Sequence, residues 1–152
     1  MKTNLITRKA IHTDLDILLE LMNEFYSEAG FVLDYEIVRS SFNELLNHAE
    51  FGSIFLMYLD SNPVGHAVIT IRYAMEYGGF VGYIDDLFIK KEYRRLGIAN
   101  CGLAALEKEC ERFKLKGLIV EVGESNEPAI RLYEKIGLSQ ITDGRVLFSK
   151  KI

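Results

Sequence analysis

The sequence predicts an α/β fold of the mixed α+β sandwich type, with a central sheet of six to seven strands flanked by about four helices. Three observations predict it. The patterned segments run strand, two helices, three strands, helix, strand, helix, two strands. Only the second half contains a strand–helix–strand unit, so only there is a parallel pair with a right-handed crossover expected. Finally, 152 residues of 49% hydrophobic content suffice for one core and are too few for two ordinary domains, so 1–152 reads as a single domain.

Each element has a local reason. Residues 4–9 alternate weakly and read as a first strand. His12, Thr13 and Asp14 offer caps for a first helix, whose Leu15, Leu18, Leu21, Met22 and Phe25 recur at helical spacing. Gly30 ends that helix. Asp34 caps a second, with Val38, Phe42, Leu45 and Leu46 inward. Residues 53–59 form a strand, which Asp60-Ser61-Asn62-Pro63 turns into a partner over 64–73. Gly78-Gly79 makes the next turn, and 80–90 is the fourth strand. A glycine-containing loop over 93–99 leads into a third helix reaching about Phe113. Its apolar stripe is Leu103, Leu106, Cys110 and Phe113, and its solvated face is Glu107, Lys108, Glu111 and Arg112. Residues 118–122 read as a buried strand. Ser125 or Asn126 caps a fourth helix that takes Pro128 in its first turn and stops at Gly137. Within 138–150, Asp143-Gly144 signals a hairpin between two short strands.

Composition narrows the function. A net charge of −4 argues against nucleic acid as a partner, since phosphate binding needs a basic face. The longest apolar run, 54–59, is far short of a membrane span. The opening Met1-Lys2-Thr3-Asn4 leads into a mixed segment and reads as no signal peptide. His12, His48 and His66 are scattered and no Cys/His cluster has zinc spacing, so no metal is expected. Cys101 and Cys110 lie nine positions apart on one predicted helix, a poor disulfide pair. Two reduced thiols point to a reducing compartment, hence a cytoplasmic protein.

The most informative segment runs from Tyr83 through Asp85-Asp86 to Ala99: a strand, a basic loop and then directly a helix. A helix N-terminus presents unpaired N–H groups and partial positive charge, a good phosphate site. Gly97 and Ala99 would let a diphosphate approach the backbone, and Arg94 and Arg95 add charge. The plain alternative is a helix start with a solvated arginine pair. Gly97-x-Ala99-x-x-Gly102, with Glu121 about 20 residues further on, also resembles a degraded dinucleotide fingerprint. Only one further helix follows, however, so a dinucleotide-binding domain could not be completed. No Gly-Lys-Ser/Thr follows the loop, which excludes a phosphate-loop ATPase. Downstream, Asn126, Ile130 and Tyr133 share one helix face, so a polar and a phenolic group look the same way. Tyr133 also reads as a core aromatic with a wet hydroxyl.

Tyr93-Arg94-x-x-Gly97-x-Ala99, followed by Asn126-x-x-Ala129-x-x-x-Tyr133-Glu134-Lys135-x-Gly137, resembles the two signature motifs of the GNAT acetyltransferase superfamily in order and separation. The element order resembles that fold over nearly the whole chain. The stretch 83–94, with Asn126-Glu127-Pro128 and Gly144-Arg145-Val146-Leu147-Phe148, looks most like the diamine (polyamine) acetyltransferase branch. The chain departs from the pattern at Arg95 and Ala99, where glycine is common in the loop; the Arg95 side chain must then point outward.

The resemblance implies an N-acetyltransferase that moves an acetyl group from acetyl-CoA to a primary amine of a small molecule, polyamine-like, an amino acid or similar, by direct transfer in a ternary complex. A peptide or protein amine is the rival acceptor, and a non-catalytic acyl-CoA-binding module the rival class. It also implies roles. The backbone of Leu87, Phe88 and Ile89 would pair with the pantetheine arm as an added strand pairs with a sheet edge. Arg94 and the N–H groups of Arg95, Leu96, Gly97, Ile98, Ala99 and Asn100 would bind the pyrophosphate. Asn126 and Ala129 would meet the pantetheine or acetyl region, and Tyr133 would protonate the departing thiolate. Asp85 aligns with the family carboxylate often proposed as base, acting through water, and Asp86 with a residue near the acceptor amine. As strand neighbours the two are expected on opposite faces. Glu121 is a further candidate where the parallel strands diverge; His66 reads as packing within its strand. Phe25, Tyr26, Glu28, Phe31, Asp34 and Tyr35 would line an acceptor pocket suited to a cation, although each also reads as core aromatic or solvated loop. Dimers are frequent in the superfamily, so a homodimer through the C-terminal strands is compatible with the resemblance.

Overall fold

Five strands in the order β1-β2-β3-β4-β5 form the sheet: β1 (Leu5–Lys9), β2 (Gly52–Leu59), β3 (Asn62–Ala74), β4 (Gly79–Ile89) and β5 (Leu118–Val120). This is a computed structural model describing residues 4–152. Of the opening segment 1–4, read above as no signal peptide, the first three residues lie outside the described residues. The chain divides into two compact units, one ending at Glu121 and the other spanning Val122–Ile152.

In the first unit β1 to β4 are antiparallel neighbours, while β5 runs parallel to β4. The parallel pair is the one closed by a crossover helix, α3 (Ile98–Arg112), as the strand–helix–strand pattern requires. Asp60 and Ser61 take positive φ of 48° and 70°, the left-handed pair that matches the twist of a β2–β3 hairpin. The helices α1 (Leu15–Glu28) and α2 (Tyr35–Asn47) bury Leu18, Leu21, Val38 and Phe42 against Ile54, Leu56, Val68 and Phe88 of the sheet. The opposite face receives α3, packed so closely on β2 that a Cβ on Gly102 would stand 2.7 Å from Met57 Sδ.

Capping follows expectation at α2, where Asp34 Oδ1 accepts from the N–H groups of Glu36 and Ile37 at 3.1 and 3.2 Å. At α1 it does not. His12–Asp14 forms a short 3-10 turn, and the Asp14 carboxylate turns back to Arg8, at 2.7 and 2.8 Å, and to the Ile11 N–H. A charge-assisted fork outweighs a cap bond, and Arg8 holds the Asp14 carboxyl below the ordinary range. The α3 stripe contains a polar member that the apolar pattern hides. Glu109 is buried and accepts from Lys9, Ser53 and Arg112, which ties β1 and β2 to the helix.

In the second unit α4 (Glu127–Lys135) is capped by Asn126, whose Oδ1 accepts from the Ala129 N–H at 3.3 Å. Pro128 occupies the first turn, and Gly137 at φ 95° ends the helix. The expected sheet of six to seven strands is, among the described residues, one of five: the strand expected over 118–122 stops at Val120, and 138–152 contains no strand. The turn chemistry is nevertheless present, with Gly144 at φ 79° and Asp143 Oδ1 accepting from the Arg145 N–H. Turn residues act locally, whereas a strand needs a ladder partner. Among the described residues no helix is long and apolar enough to cross a membrane, no three metal-ligating side chains converge, and both cysteines are free thiols.

Candidate active site

β5 pairs with β4 only from Gly82 to Ile84. Beyond that point β3 still covers one edge of β4, to Ile89, but among the described residues no strand covers the other. The stretch Leu87–Ile89 therefore runs along an edge without a strand beside it among the described residues, as β-augmentation requires, with the Ile89 carbonyl already accepting from Arg94. The chain then passes through a 3-10 turn at Lys91–Tyr93 into α3. Gly97, at the N-cap, has φ 79° and no side chain caps the helix. A Cβ on Gly97 would meet nothing within 4 Å, so the space before the first turn is open. Arg95 also takes a left-handed φ, 62°. This accounts for glycine being common at that position, and the exposed Arg95 side chain points outward as required.

Two loop residues have partners within the protein. Arg94 is not a loose cation: its Nε donates to the Ile89 carbonyl at 2.9 Å and its Nη2 to Glu28 Oε2 at 2.6 Å. It clips the loop to the end of β4 and to α1. Glu28 in turn is held below its ordinary pKa, chiefly by that bond. The Asn100 N–H donates to the Gly97 carbonyl at 3.1 Å, so it is used within the first turn.

The carboxylates show the largest departure from strand alternation. The β3–β4 register runs Val68↔Asp86 and then Ile69↔Ile84, which leaves Asp85 as the extra residue of a bulge. Thr70 Oγ1 donates to Asp85 Oδ2 at 2.5 Å, and Asp86 Oδ2 lies 3.9 Å from His66 Nε2. His66 and Thr70 are four residues apart on β3 and share a face. Both carboxylates are therefore drawn to one face of the sheet, not to opposite faces. Glu121, just past β5, bonds the Tyr83 phenol on the same side, and Tyr83 pairs in register with Thr70. Burial and that carboxylate push Tyr83 up to about 12. Lost hydration raises the Asp85 carboxyl, the Asp86 and Glu121 charges raise it further, and the Thr70 hydroxyl opposes them. Thr70 and Tyr83 were not anticipated; only the register places them beside Asp85.

The residues expected to line an acceptor pocket separate into two groups. Phe25 stacks on Phe88 at a centroid distance of 5.3 Å and meets Tyr26 edge-on. Both lie on the face that carries the carboxylates. At the α1–α2 joint, Phe31 is 67% exposed and Tyr35 51% exposed, while Asp34 is committed to its cap.

In the second unit Tyr133 is buried in α4 and borders a cleft of about 290 Å³ lined also by Val122, Ile130, Leu138 and Gln140. Asn126 and Ala129 are engaged with each other through the cap bond.

A family model described as "Acetyltransferase (GNAT) family" matches residues 15–138. The chain is 30% identical over 100 residues to an N-alpha-acetyltransferase of Saccharolobus solfataricus, covering 60% of each chain. It spans only 36% to 60% of the length of the first curated relatives it matches, both N-alpha-acetyltransferases. An integron cassette protein from the mobile metagenome of Cole Harbour Salt Marsh has a structure similar to it, with TM-score 0.85 and 31% identity, covering 96% of this chain and 90% of that one. The aminoglycoside N-acetyltransferase AAC(6')-Iy in complex with CoA shares the fold at TM-score 0.84 and 18% identity, covering 99% and 97%.

Proposed function

The chain belongs to the acetyltransferase (GNAT) family, and from that premise we propose that it moves the acetyl group of acetyl-CoA onto the primary amine of a small cationic molecule. One observation carries the choice of acceptor: the β4 bulge gathers Asp85 and Asp86 on one sheet face, with Glu121 beside them. Three carboxylates in a partly desolvated place attract an ammonium group and repel an anion.

The residues present fit the cosubstrate. The uncovered edge of β4 at Leu87–Ile89 takes the pantetheine amides, and the uncapped start of α3, open around Gly97, takes the pyrophosphate. Acetyl-CoA supplies an activated acetyl thioester, whose sulfur leaves as a thiolate when the amine nitrogen attacks the carbonyl carbon. The side chains manage the protons. An alkylammonium has a pKa of about 10, so it must lose a proton before it attacks. Asp85 receives that proton through water; its raised pKa makes it a stronger base than an ordinary aspartate. Asp86 orients the ammonium before deprotonation. Tyr133 gives its phenolic proton to the leaving thiolate, and the free thiols agree with work in the cytoplasm.

A second reading, the α-amine of a peptide, is favoured by the names of the curated relatives. One experiment separates the two. CoA release from acetyl-CoA is followed with polyamines, amino acids, amino sugars and short peptides, for wild type and Tyr133→Phe. Turnover of small polycations, cut strongly by the substitution, supports the first reading. Turnover of peptides alone selects the second, and saturable acetyl-CoA binding with no turnover on any acceptor refutes both.

A further inference from the structure

His66 has 0% exposure, and neither of its ring nitrogens has a hydrogen-bond partner among the described residues. Phe25, Phe42 and Phe88 surround it at centroid distances of 6.3, 6.4 and 5.9 Å, and its ladder neighbours are Leu56 and Phe88. A leucine or phenylalanine would fill that place without stranding two polar atoms, so packing alone does not account for a histidine. A carboxylate stands close by: Asp86 Oδ2, 3.9 Å from Nε2. That is an ion-pair separation, and an approach of about 1 Å would turn it into a hydrogen bond. Several other charged or titratable groups on the surrounding elements are engaged elsewhere. Glu24 pairs with Lys90, Glu28 with Arg94, Asp85 with Thr70 and the Tyr58 hydroxyl with Arg8.

We propose that His66 is the positioning residue of Asp86. Its ring backs the carboxylate from within the sheet, holds Oδ2 toward Nε2 and leaves Oδ1 turned outward to an acceptor ammonium. The Asp86 side chain is 16% exposed and that of His66 is not exposed at all, so His66 acts on a substrate only through Asp86. With the Nε2 tautomer the ring donates a neutral hydrogen bond, and with both nitrogens protonated it forms an ion pair. Either state fixes the carboxylate. The inference rests on Asp86 being a contact of the acceptor amine.

Two arms test it. In the first, ring NMR of the intact protein follows His12, His48 and His66, with His66→Gln used for assignment. Asp86→Asn should change the His66 ring signal, because that carboxylate stands 3.9 Å from Nε2; the His12 and His48 signals should not move. An unaltered His66 signal overturns the inference. In the second, kcat/KM for the preferred acceptor should fall at least tenfold in His66→Leu, with the KM for acetyl-CoA unchanged and an undiminished melting temperature. His66→Gln, which keeps an N–H donor, should recover most of the loss, and His66→Leu should cost nothing further in an Asp86→Asn background. A leucine variant as active as wild type overturns the inference. Should the wild type turn over no acceptor, the acceptor reading fails and the NMR arm alone decides whether the pair is coupled.

Discussion

Thr70 and Asp85 are joined across the β3–β4 ladder by a 2.5 Å hydrogen bond from hydroxyl to carboxylate, although they stand 15 positions apart in the chain. The bond opposes the burial that raises Asp85. Thr70→Val removes the donor, so the Asp85 carboxyl should rise further. A base must be deprotonated to act, so the acidic limb of kcat/KM against pH should move to higher pH. A limb that stays in place would exclude Asp85 as the base.

The same raised carboxyl has a stability cost. A folded-state pKa above the unfolded value means that the folded protein binds the proton more tightly. Ionised Asp85 therefore weakens the fold at neutral pH, and the weakness fades as pH falls through the raised pKa. Asp85→Asn should have a higher Tm than wild type at pH 7, with a difference that shrinks on acidification, while acetyl transfer collapses. Thermal melts at several pH values check the sign.

Tyr133→Phe tests the general acid. Removing the phenolic hydroxyl should lower kcat by about 100-fold, the lower range of general-acid effects, and leave the KM for acetyl-CoA within a few-fold. Steady-state kinetics on the preferred acceptor measure this. A kcat near wild type would leave Tyr133 a packing role only.

Arg8 and Asp14 supply a prediction far from the chemistry. Asp14 is buried, and its pKa is lowered by Arg8. A depressed folded pKa gives stability that is present above the unfolded value of about 3.9 and is lost as pH falls through the folded one. Asp14→Asn should cost about 2 kcal/mol at pH 7, from the loss of a charged fork that also satisfies the Ile11 N–H. The difference should narrow below about pH 4, where the wild type loses the same ionised group. Urea titrations at pH 7 and pH 3 read both effects.

Arg95 takes a left-handed backbone that only glycine adopts without strain. Arg95→Gly should raise stability by up to about 1 kcal/mol, and the KM for acetyl-CoA should hold if the backbone N–H groups carry the phosphate contact. A large rise in KM would instead assign the side chain to the cosubstrate.

Much of this fold is dictated by local patterning. Apolar residues at three- and four-residue spacing mark α1, α2 and α3, because a helix buries one stripe. The Asp60–Ser61 turn, the Asp34 and Asn126 caps and the glycine stops act within a few residues of themselves, so they were legible in the chain. The two motifs around Gly97 and Tyr133 identified the family for the same reason. The expected final strands fall in the other class. Asp143 and Gly144 shape a turn by themselves, but pairing depends on a partner ladder that no local pattern specifies.

By itself, then, the sequence determined the element order, the mixed sheet, the family and the stretch of chain in which the cosubstrate loop lies, since these rest on spacing, capping and backbone freedom. Only the tertiary structure decided which side chains meet. The bulge at Asp85 overrode strand alternation and set both aspartates on one face, Arg94 was taken up by Glu28, and His66 was buried behind Asp86. Such contacts depend on the register between strands and on desolvation by distant segments, and a chain read one residue at a time encodes neither locally.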